Sequence, residues 1–150
     1  MCGGRCNPGA ASYLLSSAVI CSMCIKQAFQ SHRQETKVHV SRLNKLIGDV
    51  NNDVDDKKDP ILTAIAGSGK NITKETDSGP IRDAGLIATA QKIEHYEIAS
   101  YGSARDWATH LGLTDHAATL QATLDEEKHA DALLSQISQR ANRDASTVAA

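Results

Sequence analysis

Apolar positions from Ile25 to Ile47 recur at helical spacing, with Phe29, Val40, Leu43 and Ile47 on one stripe and His32 and Thr36 filling its gaps. The pattern predicts a helix over 25–47 that stops at Gly48. Asp49 to Pro60 then carries five Asp and two Asn with little apolar content, the composition of a connection and not of a packed element. Ile61 to Ala66 is an apolar patch ended by Gly-Ser-Gly, and Asn71 to Asp77 is polar, so at most a short helix is expected there. The gap from Gly48 to Pro80 far exceeds a helix-hairpin loop of about 2 to 8 residues, and a long crossover is implied.

Pro80 suits the first turn of a helix that runs through Ile87, Glu94, Ile98 and Tyr101 to about His110, where Gly112 stops it. Thr114 and Asp115 can cap a last helix, which has the cleanest pattern in the chain. There Leu113, Ala117, Leu120, Leu124, Glu127, Asp131 and Leu134 alternate steps of four and three, and two acids stand where leucines belong. From Asn142 to Ala150 the periodicity is gone and a flexible tail is expected. The organisation is therefore an N-terminal segment over 1–24, a helical domain over 25–141 and a tail over 142–150.

Composition sharpens this picture. One domain fits 150 residues that are 41% hydrophobic, and few aromatics with no alternating β-branched runs favour an all-α fold. A net charge of -2, with both signs interspersed, leaves no basic stripe for nucleic acid and no polybasic anchor for a membrane. All four cysteines lie in the first 24 residues, so the body of the domain uses no disulfide framework and suits a reducing cytoplasm. Ala10 to Cys24 is apolar but broken by Ser, too short to span a bilayer and poor as a cleavage site, so a signal peptide is the less favoured reading.

Acids on an apolar stripe require a cation, a hydrogen-bond network or a metal, because burying an ionised carboxylate alone costs several kcal/mol or more. Glu94 and Glu97 lie three apart with Tyr101 on the same face, Glu127 follows Leu120 and Leu124, and His32 and Glu35 are three apart with His39 four further on. Three helices each offer a carboxylate with a second donor a turn away, as a bundle needs to hold two cations. Taken alone, Glu126 with His129 reads as a solvated pair beside the leucine stripe. His95 and His110 are expected at exposed or helix-end positions.

Three segments carry a family resemblance: Ala28 to Thr36 (AFQSHRQET), Arg82 to Gly102 (RDAGLIATAQKIEHYEIASYG) and Thr123 to Lys128 (TLDEEK). They resemble the YciE/YciF family of ferritin-like, stress-associated proteins over about 25–134. The resemblance implies a ferritin-like four-helix bundle with the long crossover between helices two and three. It implies metal ligands at Glu35, Glu94, Glu97 and Glu127, with His32 and Asp131 as weaker candidates. It further implies an iron pair, other divalent metals being alternatives, a ferroxidase activity toward dioxygen or peroxide, and a homodimer or higher oligomer. Residues 1–24 depart from the family pattern, because no Asp or Glu precedes Glu35, so the first helix is expected to be truncated or replaced.

A metal-free helical stress protein acting by oligomerisation or partner binding is the competing reading. Cys2, Cys6, Cys21 and Cys24 suggest a structural zinc site, a minor alternative. Gly67 to Lys70 lacks the residues of a phosphate loop and Asp49 to Asp56 the central glycine of a calcium loop; both read as turns.

Overall fold

The computed structural model describes residues 17–50 and 57–149, with side chains described from Ser22 onward. The described residues form four helices and no strands: α1 (Ser17–Val50), α2 (Pro60–Glu75), α3 (Pro80–His110) and α4 (Thr114–Ala149). The fold is an all-α helical bundle. Helix ends are set by local chemistry. The Asp59 carboxylate accepts the Leu62 N–H at 2.8 Å and Pro60 stands in the first turn of α2. Gly112, at φ 72°, supplies the left-handed residue of the tight turn that folds α4 back along α3.

The three long helices share one register. Buried or partly buried positions follow at seven-residue steps: Ile25, His32, His39 and Leu46 on α1; Ile87, Glu94, Tyr101 and Ala108 on α3; Leu113, Leu120, Glu127, Leu134 and Ala141 on α4. A seven-residue step keeps nearly the same helix face inward, so these side chains stack as layers. The outer layers are apolar. Ile25, Ile87, Leu134 and Ala141 close one end, and Leu46, Ala108 and Leu120 close the other, with Leu43, Tyr101 and Leu113 packed against them. The layers between hold His32, His39, Glu94 and Glu127. Because Ile25 meets Ile87 at the same end as Leu134, α1 runs parallel to α3 and antiparallel to α4. Parallel neighbours need a connection that travels back along the bundle, and the crossover that holds α2 makes this return.

Several expectations are corrected. The crossover contains a full helix of 16 residues, α2, and Gly67 to Lys70 lies inside it and not in a turn. Tertiary packing overrides the weak helix propensity of its glycines. α2 lies antiparallel along α3, where a Cβ on Gly85 would stand 3.2 Å from Ile72 and one on Gly69 3.3 Å from Thr89. The missing side chains let the two helices approach. On α1 the inward stripe keeps His32, with Phe29 and Leu43 packed beside it, but it runs through His39 and Leu46 in place of Val40 and Ile47, which are 53% and 38% exposed. A histidine occupies the stripe at position 39, so following apolar residues there leads to the adjacent face. α1 also passes Gly48 to end at Val50, and begins before Ile25.

α4 continues past Ala141 to Ala149, where the Ser146 and Thr147 hydroxyls donate to the Arg143 and Asp144 carbonyls. The truncated or replaced first helix expected in 1–24 falls partly outside the described residues; from Ser17 that segment is the start of α1. Cys2, Cys6 and the Cys21 side chain, and with them the zinc alternative, also lie outside the described residues.

Candidate metal centre

Midway along the bundle α1, α3 and α4 each deliver donors to one point. His32 comes from α1, Glu94 and Glu97 from α3, and Glu127 from α4, and one donor atom of each lies within 4.8 Å of the others. His32 Nε2 stands 3.3 Å from Glu94 Oε1 and 3.6 Å from Glu127 Oε2. Glu94 is 3% exposed and Glu127 0%, walled off from water by the two apolar layers. Glu94 Oε2, both Glu127 oxygens and His32 Nδ1 are buried without a hydrogen-bond partner. Buried oxygens of this kind are costly when nothing satisfies them, and bound cations would satisfy them. Carboxylates with imidazole suit divalent iron, manganese or zinc, so the donor set fits such a group.

Electrostatics agree with the geometry. Burial pushes Glu97 up to about 7 and also raises Glu94 and Glu127, the latter further through the neighbouring charge of Glu94. The carboxyl groups therefore hold protons near neutral pH until a cation replaces them. Burial lowers His32, keeping its imidazole neutral, the form that ligates metals. Burial likewise raises the Tyr101 phenol, with the nearby Glu97 and Glu127 charges adding to it.

Of the residues singled out in the sequence, His32, Glu94, Glu97 and Glu127 come together. Glu35 stays at the rim, its carboxylate 3.4 Å from His32 Nδ1 and 43% exposed, and is outside the four-residue cluster. Asp131 is also outside it, partly buried and 3.3 Å from His95 Nδ1. A cleft of about 80 Å³ lined by Phe29, His32, Glu35, Glu94, His129 and Leu133 borders the cluster.

Two further participants were not among the ligands that the sequence suggested. His39 is 1% exposed and places Nδ1 2.9 Å from Glu127 Oε1. Its Nε2 contacts Glu126 Oε2 at 2.7 Å, and Arg42 donates to both oxygens of Glu126 at 2.5 and 3.1 Å. Those Arg42 hydrogen bonds hold the Glu126 carboxyl below its ordinary range. Glu126 is thus a tethered acid and not a solvated partner of His129. The seven-residue step from Ile25 to Leu46 carried the signal for His39; nothing local marked Glu126, which lies beside its own helix's buried stripe.

Known proteins share this architecture. Residues 18–146 match the family described as Domain of unknown function (DUF892). Protein YciF of Escherichia coli (strain K12) is 35% identical over 114 residues, covering 75% of this chain and 69% of that protein. The crystal structure of the E. coli stress protein YciF superposes with a TM-score of 0.69 at 33% identity, covering 78% of this chain and 74% of that one. The structure of YcfI from Rhodopseudomonas palustris gives 0.69 at 31% identity, over 74% and 71% of the two chains. With the family matched across nearly all the described residues, and a fold shared with these structures, the chain belongs to the DUF892 family, and the YciF-type proteins are among its relatives.

Proposed function

We propose that the chain is a di-metal carboxylate protein that binds a pair of irons and oxidises them from ferrous to ferric with dioxygen or peroxide. The observation that carries this reading is the buried meeting of His32, Glu94, Glu97 and Glu127 from three helices, with carboxylate oxygens that have no hydrogen-bond partner. Iron is the substrate: each ferrous ion loses one electron, and the oxidant takes up the electrons with protons. Glu94 and Glu127, which burial holds protonated to higher pH than an exposed carboxylate, release protons as cations arrive, and their ionised forms balance the higher charge of the ferric state. His32 supplies a neutral nitrogen donor, and Glu35 and Asp131 add negative charge at the rim. The cleft beside His32 and Glu94 gives a small oxidant a route inward. This reading keeps the cytoplasmic setting suggested by a domain body free of cysteine.

Anaerobic loading with ferrous iron followed by elemental analysis tests the proposal. About two irons per chain are expected, with an optical change on admitting oxygen. Glu94→Ala and Glu127→Ala are each expected to lower the iron content sharply. A folded wild-type chain that retains no iron, or two variants with undiminished content, would overturn the assignment.

The second reading, a metal-free protein acting through a homodimer, higher oligomer or other partner, is favoured by Trp107 and Leu111, which stand 68% and 73% exposed beside the α3–α4 turn. Sedimentation of wild type against Trp107→Ser tests it; identical monomeric behaviour would argue against self-association there. Among the described residues no helix is long and apolar enough to cross a membrane.

A further inference from the structure

The four-residue cluster leaves one buried histidine with chemistry to spare. His39 lies one seven-residue step beyond His32 on α1, 1% exposed, between Glu126 and Glu127 of α4. Its two ring nitrogens stand in different settings. Nε2 faces Glu126 Oε2 at 2.7 Å, and that carboxylate, fixed by the two-pronged Arg42 contact, can only accept, which favours the tautomer with the proton on Nε2. Nδ1 is left with its lone pair. It is buried, and although Glu127 Oε1 lies 2.9 Å away, the alignment is not that of a hydrogen bond; both atoms are without such a partner.

A histidine that donates one N–H to a carboxylate and directs the other nitrogen at a second carboxylate oxygen is the arrangement seen around metal-ligating imidazoles. The spacing agrees as well. Two donors each about 2.0 to 2.1 Å from a shared cation, separated by a right or tetrahedral angle, lie about 2.9 to 3.4 Å apart. His39 Nδ1 and Glu127 Oε1 satisfy this at 2.9 Å, as His32 Nε2 and Glu94 Oε1 do at 3.3 Å. Glu127 turns one oxygen toward each histidine: Oε2 toward His32 and Oε1 toward His39.

We propose that His39 Nδ1 and Glu127 Oε1 are donors of the second cation position, with Glu127 bridging it to the position held by His32 and Glu94, and that Glu126 and Arg42 act as positioning residues for His39. This rests on the metal-binding reading and assigns its second position to a nitrogen donor. Tyr101, whose ring centroid is 6.2 Å from that of His39, closes the space on the α3 side. Glu97, which shares the cluster with Glu127, is a further carboxylate that could complete the coordination.

Cobalt(II) is the probe, read both by equivalents bound per chain and by the visible absorption of the bound ion, which responds to nitrogen ligation. The full-length wild type is expected to take up about two equivalents and His39→Ala about one, with the spectrum of the lost site missing. Glu126→Gln is expected to keep both positions but weaken the second about 10- to 100-fold, the usual effect of disturbing a ligand's carboxylate support. Should His39→Ala fail to fold by circular dichroism, Glu126→Gln carries the test, and an unchanged second affinity there overturns the proposal. Two equivalents with an unaltered spectrum in a folded His39→Ala protein would overturn it while leaving the metal-binding reading intact, and so would a single equivalent in both proteins. No cobalt or iron bound by the wild type would overturn the metal-binding reading itself.

Discussion

Glu127 concentrates the chemistry of this chain in one side chain. It occupies a position that the leucine pattern of α4 reserves for the core, its carboxylate is fully buried, and two histidines and Glu94 surround it. An isolated acid there would be expelled or protonated, and the raised affinities of Glu94, Glu97 and Glu127 for protons show the second outcome. A pH dependence follows. In the unfolded chain these groups ionise near 4.5, whereas in the folded metal-free chain Glu94 and Glu97 hold their protons to about 7. As pH rises between those values the unfolded state sheds protons that the folded state keeps, so stability contributed by these groups is fully present below 4.5 and lost as pH climbs through about 7. The melting temperature of the chelator-treated protein is expected to fall over that window, and Glu94→Gln to flatten the decline. A melting temperature that rises steadily over the window in both proteins would contradict the assignment. Proton release on loading should also make metal affinity climb with pH over the same range.

At the scale of elements, α2 shows how packing creates a helix where sequence suggests a turn. Its Gly-Ser-Gly run weakens the helix, yet Gly69 and Gly85 allow α2 and α3 close contact, and Asp59 at one end bonds both the Leu62 N–H and the Tyr96 hydroxyl. Arg82 of α3 donates to the Thr76 carbonyl at the other end. A leucine at position 85 would drive its side chain into Ile72. Gly85→Leu is expected to cost about 1 to 3 kcal/mol in chemical denaturation and to speed amide exchange throughout α2, leaving cobalt stoichiometry unchanged because no ligand lies on α2. A variant as stable as wild type would show that α2 is not held by this contact. The α1 stripe teaches a related lesson. The eye follows Val40 and Ile47, but the inward face is set by the layers of α3 and α4, which take His39 and Leu46 instead.

For the whole molecule, the centre joins three helices that are distant in sequence, with apolar layers capping it on both sides. α1 is attached to the rest largely through α4, by the Arg42–Glu126 and His39–Glu126 contacts and the end layers. A cation shared by His32, Glu94 and Glu127 would bind only the folded assembly and so stabilise it. At free metal about 100 times Kd the gain is about 2.7 kcal/mol. Stripping the loaded protein with a chelator is therefore expected to lower its melting temperature by several degrees, with restoration on adding ferrous or cobalt ion. Identical melting curves with and without metal would separate the cluster from metal binding.

The all-α class, the last helix and its two misplaced acids, the paired glutamates of α3 and the long crossover are all legible in the chain, because each rests on local spacing or on turn residues that act within a few positions. The resemblance to the YciE/YciF family is legible for the same reason: it lies in contiguous motifs. Tertiary structure alone decided which of the candidate donors meet. His32 joined the cluster while Glu35, three residues on, remained at its rim, because neighbouring helices fix which narrow strip of α1 faces inward. It also brought Arg42 and His39 to Glu126, across more than eighty positions of chain, a contact between side chains whose spacing along the sequence carries no trace of their meeting.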